Sequence, residues 1–162
     1  SKPTNLEEAK REIQACRDIF YQKKGIQWAI ARYSDNKMIG AIGMYINNHN
    51  ARGEIFYDLN PKYWHKGIMS KALTVVISHA FNNIGLTRIE ATTLKENTPS
   101  TALLKKLGFK REGTLQKYRY YQEKFYDVEM YACISSSKNK QRQIPTFHAT
   151  LRQATTRNFN LL

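Results

Sequence analysis

The loop before the longest predicted helix has residue types suited to binding an anion. The segment 63–67 reads Tyr-Trp-His-Lys-Gly, follows a strand predicted over about 52–59, and leads into a helix predicted over about 68–84. The first turn of a helix leaves backbone N–H groups unpaired and lies at the positive end of the helix dipole. Gly67 allows close approach of the backbone, and Lys66 adds a full positive charge. The junction predicts an anion site, although an ordinary loop can carry the same Lys-Gly pair.

A second junction places polar residues at the start of a shorter helix. Asn97 and Ser100 lie where a helix is predicted over about 99–107, and Leu-Gly-Phe follows at 107–109. Asn and Ser are also common helix caps, so this segment alone does not distinguish a site from a helix end. The two junctions in this order along the chain are more specific than either one.

Alternating strands and helices are predicted to position both junctions. Apolar residues at helical spacing predict a first helix over about 4–21, whereas alternation of apolar and polar residues predicts strands. Strands alternating with helices, followed by a final antiparallel pair, predict a mixed α/β sheet. The strands are predicted over about 26–31, 38–46, 52–59, 87–93, 109–115 and 125–134.

Length and charge narrow the class of protein. The chain has 162 residues, with 26 Lys and Arg against 13 Asp and Glu, which gives a net charge of +13. A domain of this size buries enough surface to fold without a metal or a disulfide. No apolar run reaches the ~18 residues of a membrane span, and the first residues lack the apolar core of a signal peptide. Cys16 and Cys133 are expected to be reduced thiols, so we predict a cytoplasmic protein with an acidic or polyanionic partner.

Three motifs in order along the chain resemble those of the GNAT N-acetyltransferases. They are the segments 61–72, 97–100 and 107–113, and the resemblance covers about residues 5–134. The branch that they resemble includes the ribosomal-protein N-terminal acetyltransferases. The resemblance implies a mixed, mostly antiparallel sheet flanked by helices, with acetyl-CoA as donor and a primary amine as acceptor. No metal is expected, because the His and Cys residues are dispersed without metal-ligand spacing.

The resemblance also implies roles for residues at both junctions. The loop and helix start are expected to cradle the pyrophosphate of CoA through backbone amides. The strand over 54–59 is expected to part from its neighbour, so that its backbone pairs with the pantetheine arm. Asn97 is implied as a hydrogen-bond partner of that arm, and Ser100 as the acid that protonates the departing thiolate. The residues expected to bind CoA are Tyr57, Leu59, Lys66, Gly67, Ile68, Met69, Ser70 and Asn97.

Four positions depart from the family pattern. His65 stands where the family usually has Gly, and Lys71 stands where an acid is common. Leu104 occupies the position at which many relatives carry a Tyr general acid. Arg119 occupies the position at which the ribosomal-protein alanine branch can carry a Glu base. The resemblance therefore leaves the general base and the acceptor open.

A carboxylate of the strand over 54–59 is the predicted base. An amine nucleophile must lose a proton, and a carboxylate whose pKa is raised by burial can accept it directly or through water. Glu54 and Asp58 share one face of the strand at period two, near the expected acetyl group. We expect Glu54 to be the base, unless ordered water suffices, and we expect Asp58 and Tyr120 to bind the acceptor. The alternative for Glu54 is an ion pair with one of the many cations.

The C-terminal segment is predicted to be separate from a domain body at 1–134. A polar linker is predicted at 135–143, and residues 136–162 include five cations and no acid. GNAT proteins normally open with a strand and a first helix, and the segment 144–162 resembles that opening. We expect it to supply the first strand, within its own domain or exchanged in a homodimer, because an open sheet edge invites aggregation. The alternative is a disordered basic tail.

Two other functions are compatible with the same sequence. The scaffold could bind acyl-CoA without turnover, as a sensor. A basic chain with ten Tyr residues could instead be an RNA- or ribosome-binding module that has lost catalysis, with Tyr118, Tyr120 and Tyr121 stacking on bases. Acetyl transfer to a protein N-terminus or a small amine is the predicted function. No membrane partner is expected, and nucleic acid is the less favoured partner.

Overall fold

The computed structural model describes residues 5–136, which form one six-stranded sheet with three α-helices around it. A 3₁₀ turn at Pro61–Tyr63 precedes the second helix, and a π-helical turn at Ala80–Ile84 follows it. The mixed α/β class predicted from the sequence is confirmed. The elements are α1 (Leu6–Tyr21), β1 (Gly25–Ala31), β2 (Met38–Asn47), β3 (Arg52–Leu59), α2 (Ile68–His79), β4 (Arg88–Thr93), α3 (Thr98–Lys106), β5 (Lys110–Tyr121) and β6 (Lys124–Ile134).

The two central strands of the sheet part from each other. The strand order is β1-β2-β3-β4-β6-β5, and every neighbouring pair is antiparallel except β3 with β4. This parallel pair is short, and its last matched residues are Glu54 and Glu90. β3 nevertheless stays paired with β2 as far as Leu59, and β4 stays paired with β6 as far as Thr93. A cleft therefore opens in the middle of the sheet beyond Glu54 and Glu90.

One face of the sheet carries the hydrophobic core. Apolar side chains at alternate positions of β2 and β3 are buried there, as the two-residue period of a strand requires. α2 covers this face because its apolar residues recur at helical spacing, and α3 packs into the same cluster. The core thereby fixes both helices against the cleft strands. Its buried members include Ile42, Met44, Ile55, Met69, Leu73, Val76, Ile89 and Leu104.

The opposite face is more open and carries α1 beside β1. Gly25 permits this packing, because a Cβ there would lie 2.8 Å from the Ile19 side chain. Farther along the face, the ring of Phe56 lies over Gly43 and stacks on Tyr45 with ring centroids 5.0 Å apart. The two faces therefore differ, with a packed core on one and exposed aromatic rings on the other.

The helix predicted over 68–84 is regular only as far as His79. It continues as the π-helical turn and ends at Gly85, which has a φ of 81°. The wider turn keeps Ala80 and Ile84 buried in the core. The apolar pattern that predicts the helix does not distinguish a wider turn from a regular one.

The final hairpin is longer than the sequence pattern predicts. β5 continues to Tyr121 and β6 begins at Lys124, whereas the predicted strands cover about 109–115 and 125–134. Gln122 and Glu123 form the turn, with φ values of 47° and 59°. Two-residue hairpin turns of this left-handed kind usually contain Asn or Gly, so the customary signal is missing here.

Residues 137–162 lie outside the described residues. The segment 144–162 and most of the linker at 135–143 fall in this region, so the assignment of a first strand to the tail stays a prediction. Within 5–136, no helix combines the length and the apolar composition needed to cross a membrane. Cys16 and Cys133 are free thiols.

Candidate active site

A cluster of ion pairs lies at the closed end of the cleft and links the strands there. Glu90 is buried and pairs with Arg52 of β3 at 3.0 Å and with Arg88 of its own strand at 2.6 Å. Arg88 also pairs with Glu112 on β5, and this contact lowers the pKa of the Glu112 carboxyl. The charges join three strands next to the last residue pair of β3 and β4. Beyond them the facing edges of β3 and β4 have no strand partner, and their backbone groups are open to a ligand.

The N-terminus of α2 lies at the loop that follows β3 and has no side-chain cap. Gly67 is its N-cap residue, with a φ of 71°, and accepts only the first helical hydrogen bond, from Lys71 N–H at 3.0 Å. By contrast, an Asn side chain caps α1, the 3₁₀ turn and α3. The N–H groups of Ile68, Met69 and Ser70 have no partner within the helix. This end of α2 is therefore suited to an anionic group, as the sequence predicts.

The side chains of this loop are exposed, and their positions limit what each can contribute. Lys66 Nζ lies 5.5 Å from the centre of the Tyr63 ring. His65 has a φ of 59°, so it adopts the left-handed conformation that favours the Gly usual in the family. The side chain of Met69 is buried in the core, which leaves only its backbone for a ligand. The Leu59 carbonyl already accepts a hydrogen bond from the Trp64 indole at 2.7 Å.

Two hydroxyl groups meet across the cleft on the core side. Tyr57 Oη of β3 lies 2.8 Å from Ser100 Oγ in the first turn of α3. Burial raises the pKa of the Tyr57 hydroxyl, and this effect outweighs the opposing one of the Ser100 hydrogen bond. Asn97 holds the start of α3, because its Oδ1 accepts the Ser100 N–H at 3.2 Å. The structure therefore brings together three residues that the sequence assigns to the cofactor and the acid step.

Two carboxylates occupy the other face of β3. Glu54 is half-buried and Asp58 is exposed, with the Phe56 side chain between them on the same face. Within the described part of the chain, neither carboxylate forms a hydrogen bond or an ion pair. Four residues of a strand span about 13 Å, so Glu54 and Asp58 are too far apart to contact one ammonium group together.

The predicted residues of β5 lie farther from the cleft floor. Tyr120 is exposed near the tip of the β5–β6 hairpin and stacks on Phe125 with centroids 4.8 Å apart. Arg119 Nη2 donates to Thr92 Oγ1 of β4 at 3.0 Å. A cation therefore stands beside the open part of β4, where the resemblance allows an acid in some relatives.

Sequence reasoning missed a cavity of about 740 Å³ between α3, β5 and β6. Its polar wall includes Arg111, Thr114 and Glu129, and the Thr114 hydroxyl donates to the Glu129 carboxylate at 2.8 Å. The Arg111 guanidinium, and after it Thr114, lower the pKa of Glu129 to about 2. Thr101 of α3 also lines this cavity, whereas the adjacent Ser100 faces Tyr57. The sequence signal for this polar wall is the pair Asp127 and Glu129, which lie two residues apart in the last predicted strand.

Comparison with known proteins identifies what these elements resemble. Residues 1–110 match the family model described as an acetyltransferase (GNAT) domain. The chain is similar to the uncharacterized N-acetyltransferase YoaA of Bacillus subtilis, with 34% identity over 131 residues, 80% of this chain and 74% of the relative. It is also similar to the ribosomal-protein-serine acetyltransferase of Escherichia coli, with 26% identity over 133 residues, 82% of this chain and 73% of the relative.

A solved structure shares the fold as well. RimL, a ribosomal L7/L12 α-N-protein acetyltransferase in complex with coenzyme A, superimposes with a TM-score of 0.75 at 25% identity. The match covers 81% of this chain and 73% of that one.

Proposed function

The chain belongs to the GNAT acetyltransferase family, and we propose that it transfers an acetyl group from acetyl-CoA to a primary amine in the cleft between β3 and β4. The observation that carries this proposal is the uncapped N-terminus of α2, which follows directly from a strand that parts from its neighbour. An anion-binding helix end beside two open strand edges suits a long ligand with a phosphate group and an amide-containing arm. RimL, solved with coenzyme A, supports the choice of ligand.

The backbone supplies most of the donor site. The N–H groups of Ile68, Met69 and Ser70 hold the pyrophosphate, Gly67 allows its close approach, and Lys66 adds charge. The open edge of β3 at Tyr57 and Leu59 pairs with the pantetheine arm. The Asn97 side-chain carbonyl caps α3, so its NH₂ group is the part left to donate to that arm.

The two faces of β3 divide the proton transfers. Glu54, half-buried and without an ion pair in the described chain, accepts a proton from the acceptor amine on one face. Ser100 donates a proton to the sulfur of CoA on the other face, next to Tyr57. The bound donor supplies the reactive thioester. The base can therefore act on the nitrogen and the acid on the sulfur from opposite faces of the strand.

The acceptor that we propose is the N-terminus of a protein, with a small amine as the other class. Support comes from the ribosomal-protein-serine acetyltransferase and from RimL, which are named for protein acceptors. Asp58 and Tyr120 are exposed residues that can contact such a peptide beyond the reacting amine. The homodimer and the cytoplasmic location stay predictions.

The test is release of the CoA thiol by the purified full chain with a panel of acceptors. The panel contains peptides with free N-termini, the same peptides with acetylated N-termini as matched controls, and small amines. Release with free but not blocked peptides is the expected result. Acetyl-CoA binding without release for any acceptor would favour the sensor, and salt-sensitive RNA binding without acetyl-CoA binding would favour the RNA-binding module.

A further inference from the structure

The hydrogen bond between Tyr57 and Ser100 joins the two walls of the cleft. Tyr57 lies three residues past Glu54, in the part of β3 that no longer pairs with β4, and Ser100 lies 43 residues later on α3. Their hydroxyl oxygens are 2.8 Å apart, and either group can be the donor. Asn97 fixes the backbone of Ser100, while β2 and the rim of the core hold Tyr57.

The surroundings restrict where the Tyr57 proton can go. The ring packs against the apolar cluster that includes Ile55 and Leu104. The ring therefore offers no polar contact, and the hydroxyl is the group that can form a hydrogen bond. Among residues 5–136, Ser100 is the only side chain that forms a hydrogen bond with that hydroxyl. The Ser100 hydroxyl in turn has no second side-chain partner in the same range. The pair is therefore a short chain of two hydroxyls with one free end.

A serine hydroxyl alone is a poor acid, because loss of its proton leaves a strongly basic alkoxide. A phenol has an ordinary pKa near 10, and even with the rise that burial gives the pKa of Tyr57, its proton is far easier to give up than that of a serine hydroxyl. A chain in which Tyr57 donates to Ser100 ends as a phenolate and avoids the alkoxide.

We propose that Tyr57 is a positioning residue for the acid step, which directs the Ser100 proton toward the leaving sulfur and replaces it from its own hydroxyl. The inference rests on the proposed function and extends it to a residue expected only to bind the cofactor through its backbone. The amine nitrogen bonds to the acetyl carbon, and the carbon–sulfur bond breaks with its electron pair on sulfur. Sulfur takes the Ser100 proton, Ser100 takes the Tyr57 proton, and the phenolate regains one from water. The nitrogen gives its proton to Glu54, which releases it to solvent and so offsets the proton that the phenolate takes from water.

Tyr57 carries its proton before the reaction begins. The Tyr57 hydroxyl is protonated at neutral pH, because an ordinary phenol already is and burial raises the pKa of this one further. It therefore has a proton to give to Ser100 at the start of each catalytic cycle. A more exposed phenol could exchange its hydrogen bond for water and leave Ser100 free to rotate.

The experiment is a double-mutant cycle on the full chain with acetyl-CoA and the best acceptor. We expect Tyr57→Phe, which keeps the ring, to lower kcat about 10- to 100-fold, while KM for acetyl-CoA changes less than about threefold. Ser100→Ala should lower kcat by a similar factor, and the double variant should be no slower than either single one. Replacement of Tyr57 by 3-fluorotyrosine, which restores a hydroxyl, should recover kcat. Tyr33→Phe, at a fully exposed turn, is the matched control and should behave as wild type.

The other possible results distinguish a failure of the Tyr57 proposal from a failure of the proposed function. Unchanged kcat in Tyr57→Phe, or a rise in KM alone, overturns the proposal and leaves the acetyltransferase intact. Effects that multiply in the double variant show independent roles, and a slow Tyr57→Phe with a normal Ser100→Ala shows that Tyr57 acts directly. Both outcomes overturn the relay. If wild type releases no thiol with any acceptor, the proposed function fails first and the relay falls with it.

Discussion

The backbone at Gly67 offers a direct test of the donor site, through the substitution Gly67→Ala. Gly67 has a φ of 71°, and no atom lies within 4 Å of the position that an added Cβ would take. The variant therefore creates no clash, and its cost to folding is the left-handed conformation alone, about 1 kcal/mol. For a chain of this size that cost lowers Tm by about 2–4 °C.

The effect of Gly67→Ala on binding should exceed its effect on stability. The added methyl group enters open space at the residue that directly precedes the first N–H groups of α2, where we expect the phosphate to approach them. We expect Kd for acetyl-CoA to rise at least tenfold, which corresponds to about 1.4 kcal/mol of binding free energy. Isothermal titration calorimetry measures Kd, and thermal unfolding without ligand measures Tm.

Gly108→Ala is the matched control for this substitution. Gly108 follows α3, has a φ of 85°, and also has open space where a Cβ would lie. Gly108→Ala should lower Tm by the same amount as Gly67→Ala, but its Kd for acetyl-CoA should stay within about twofold of wild type. If both variants lose affinity equally, or if Gly67→Ala binds acetyl-CoA normally, the assignment of the phosphate to this helix end is wrong.

Three further predictions follow from other parts of the molecule. Glu54→Gln should lower kcat about 10²- to 10⁴-fold with an unchanged Kd for acetyl-CoA, and a normal kcat would remove Glu54 as the base. Glu123→Gly should raise Tm by about 2–4 °C, because Gly adopts the φ of 59° at this position without strain. Glu123→Ala should not stabilise the chain. Equal Tm values for the two variants would show that the backbone at Glu123 is not strained. The lowered pKa values of Glu129 and Glu112 predict stability that is complete above about pH 4.3 and lost as the pH falls toward 2. Thermal unfolding at several pH values measures this loss of stability. The loss should be smaller in Glu129→Gln. If that variant has the same pH profile as wild type, Glu129 is not a source of the pH dependence.

The sequence was most informative where a local rule fixes the geometry. The period of a strand suffices to place Glu54 and Asp58 on one face, and the Gly before an apolar helical pattern suffices to start α2 at Ile68. Such rules act over a few residues and depend little on the rest of the fold.

Contacts between distant elements could not be obtained in the same way. The meeting of Tyr57 with Ser100 depends on how far β3 and β4 part and on the rotation of α3 about its axis. The length of the last hairpin depends on a left-handed turn at Gln122 and Glu123, and neither residue type is typical of such a turn. The polar wall of the cavity likewise requires the register that brings Arg111 and Thr114 to Glu129. These features arise from packing and strand register, which a pattern along the chain does not encode.

The central claim is acetyl transfer in this cleft, and mass spectrometry of the acceptor peptide tests it most directly. The full chain is incubated with acetyl-CoA and a peptide that has a free N-terminus, beside Gly67→Ala and Gly108→Ala at an acetyl-CoA concentration near the wild-type Kd. We expect one acetyl group on the N-terminal amine with wild type and with Gly108→Ala, and far less with Gly67→Ala. An unmodified acceptor with every protein, or equal acetylation by the two glycine variants, would contradict it.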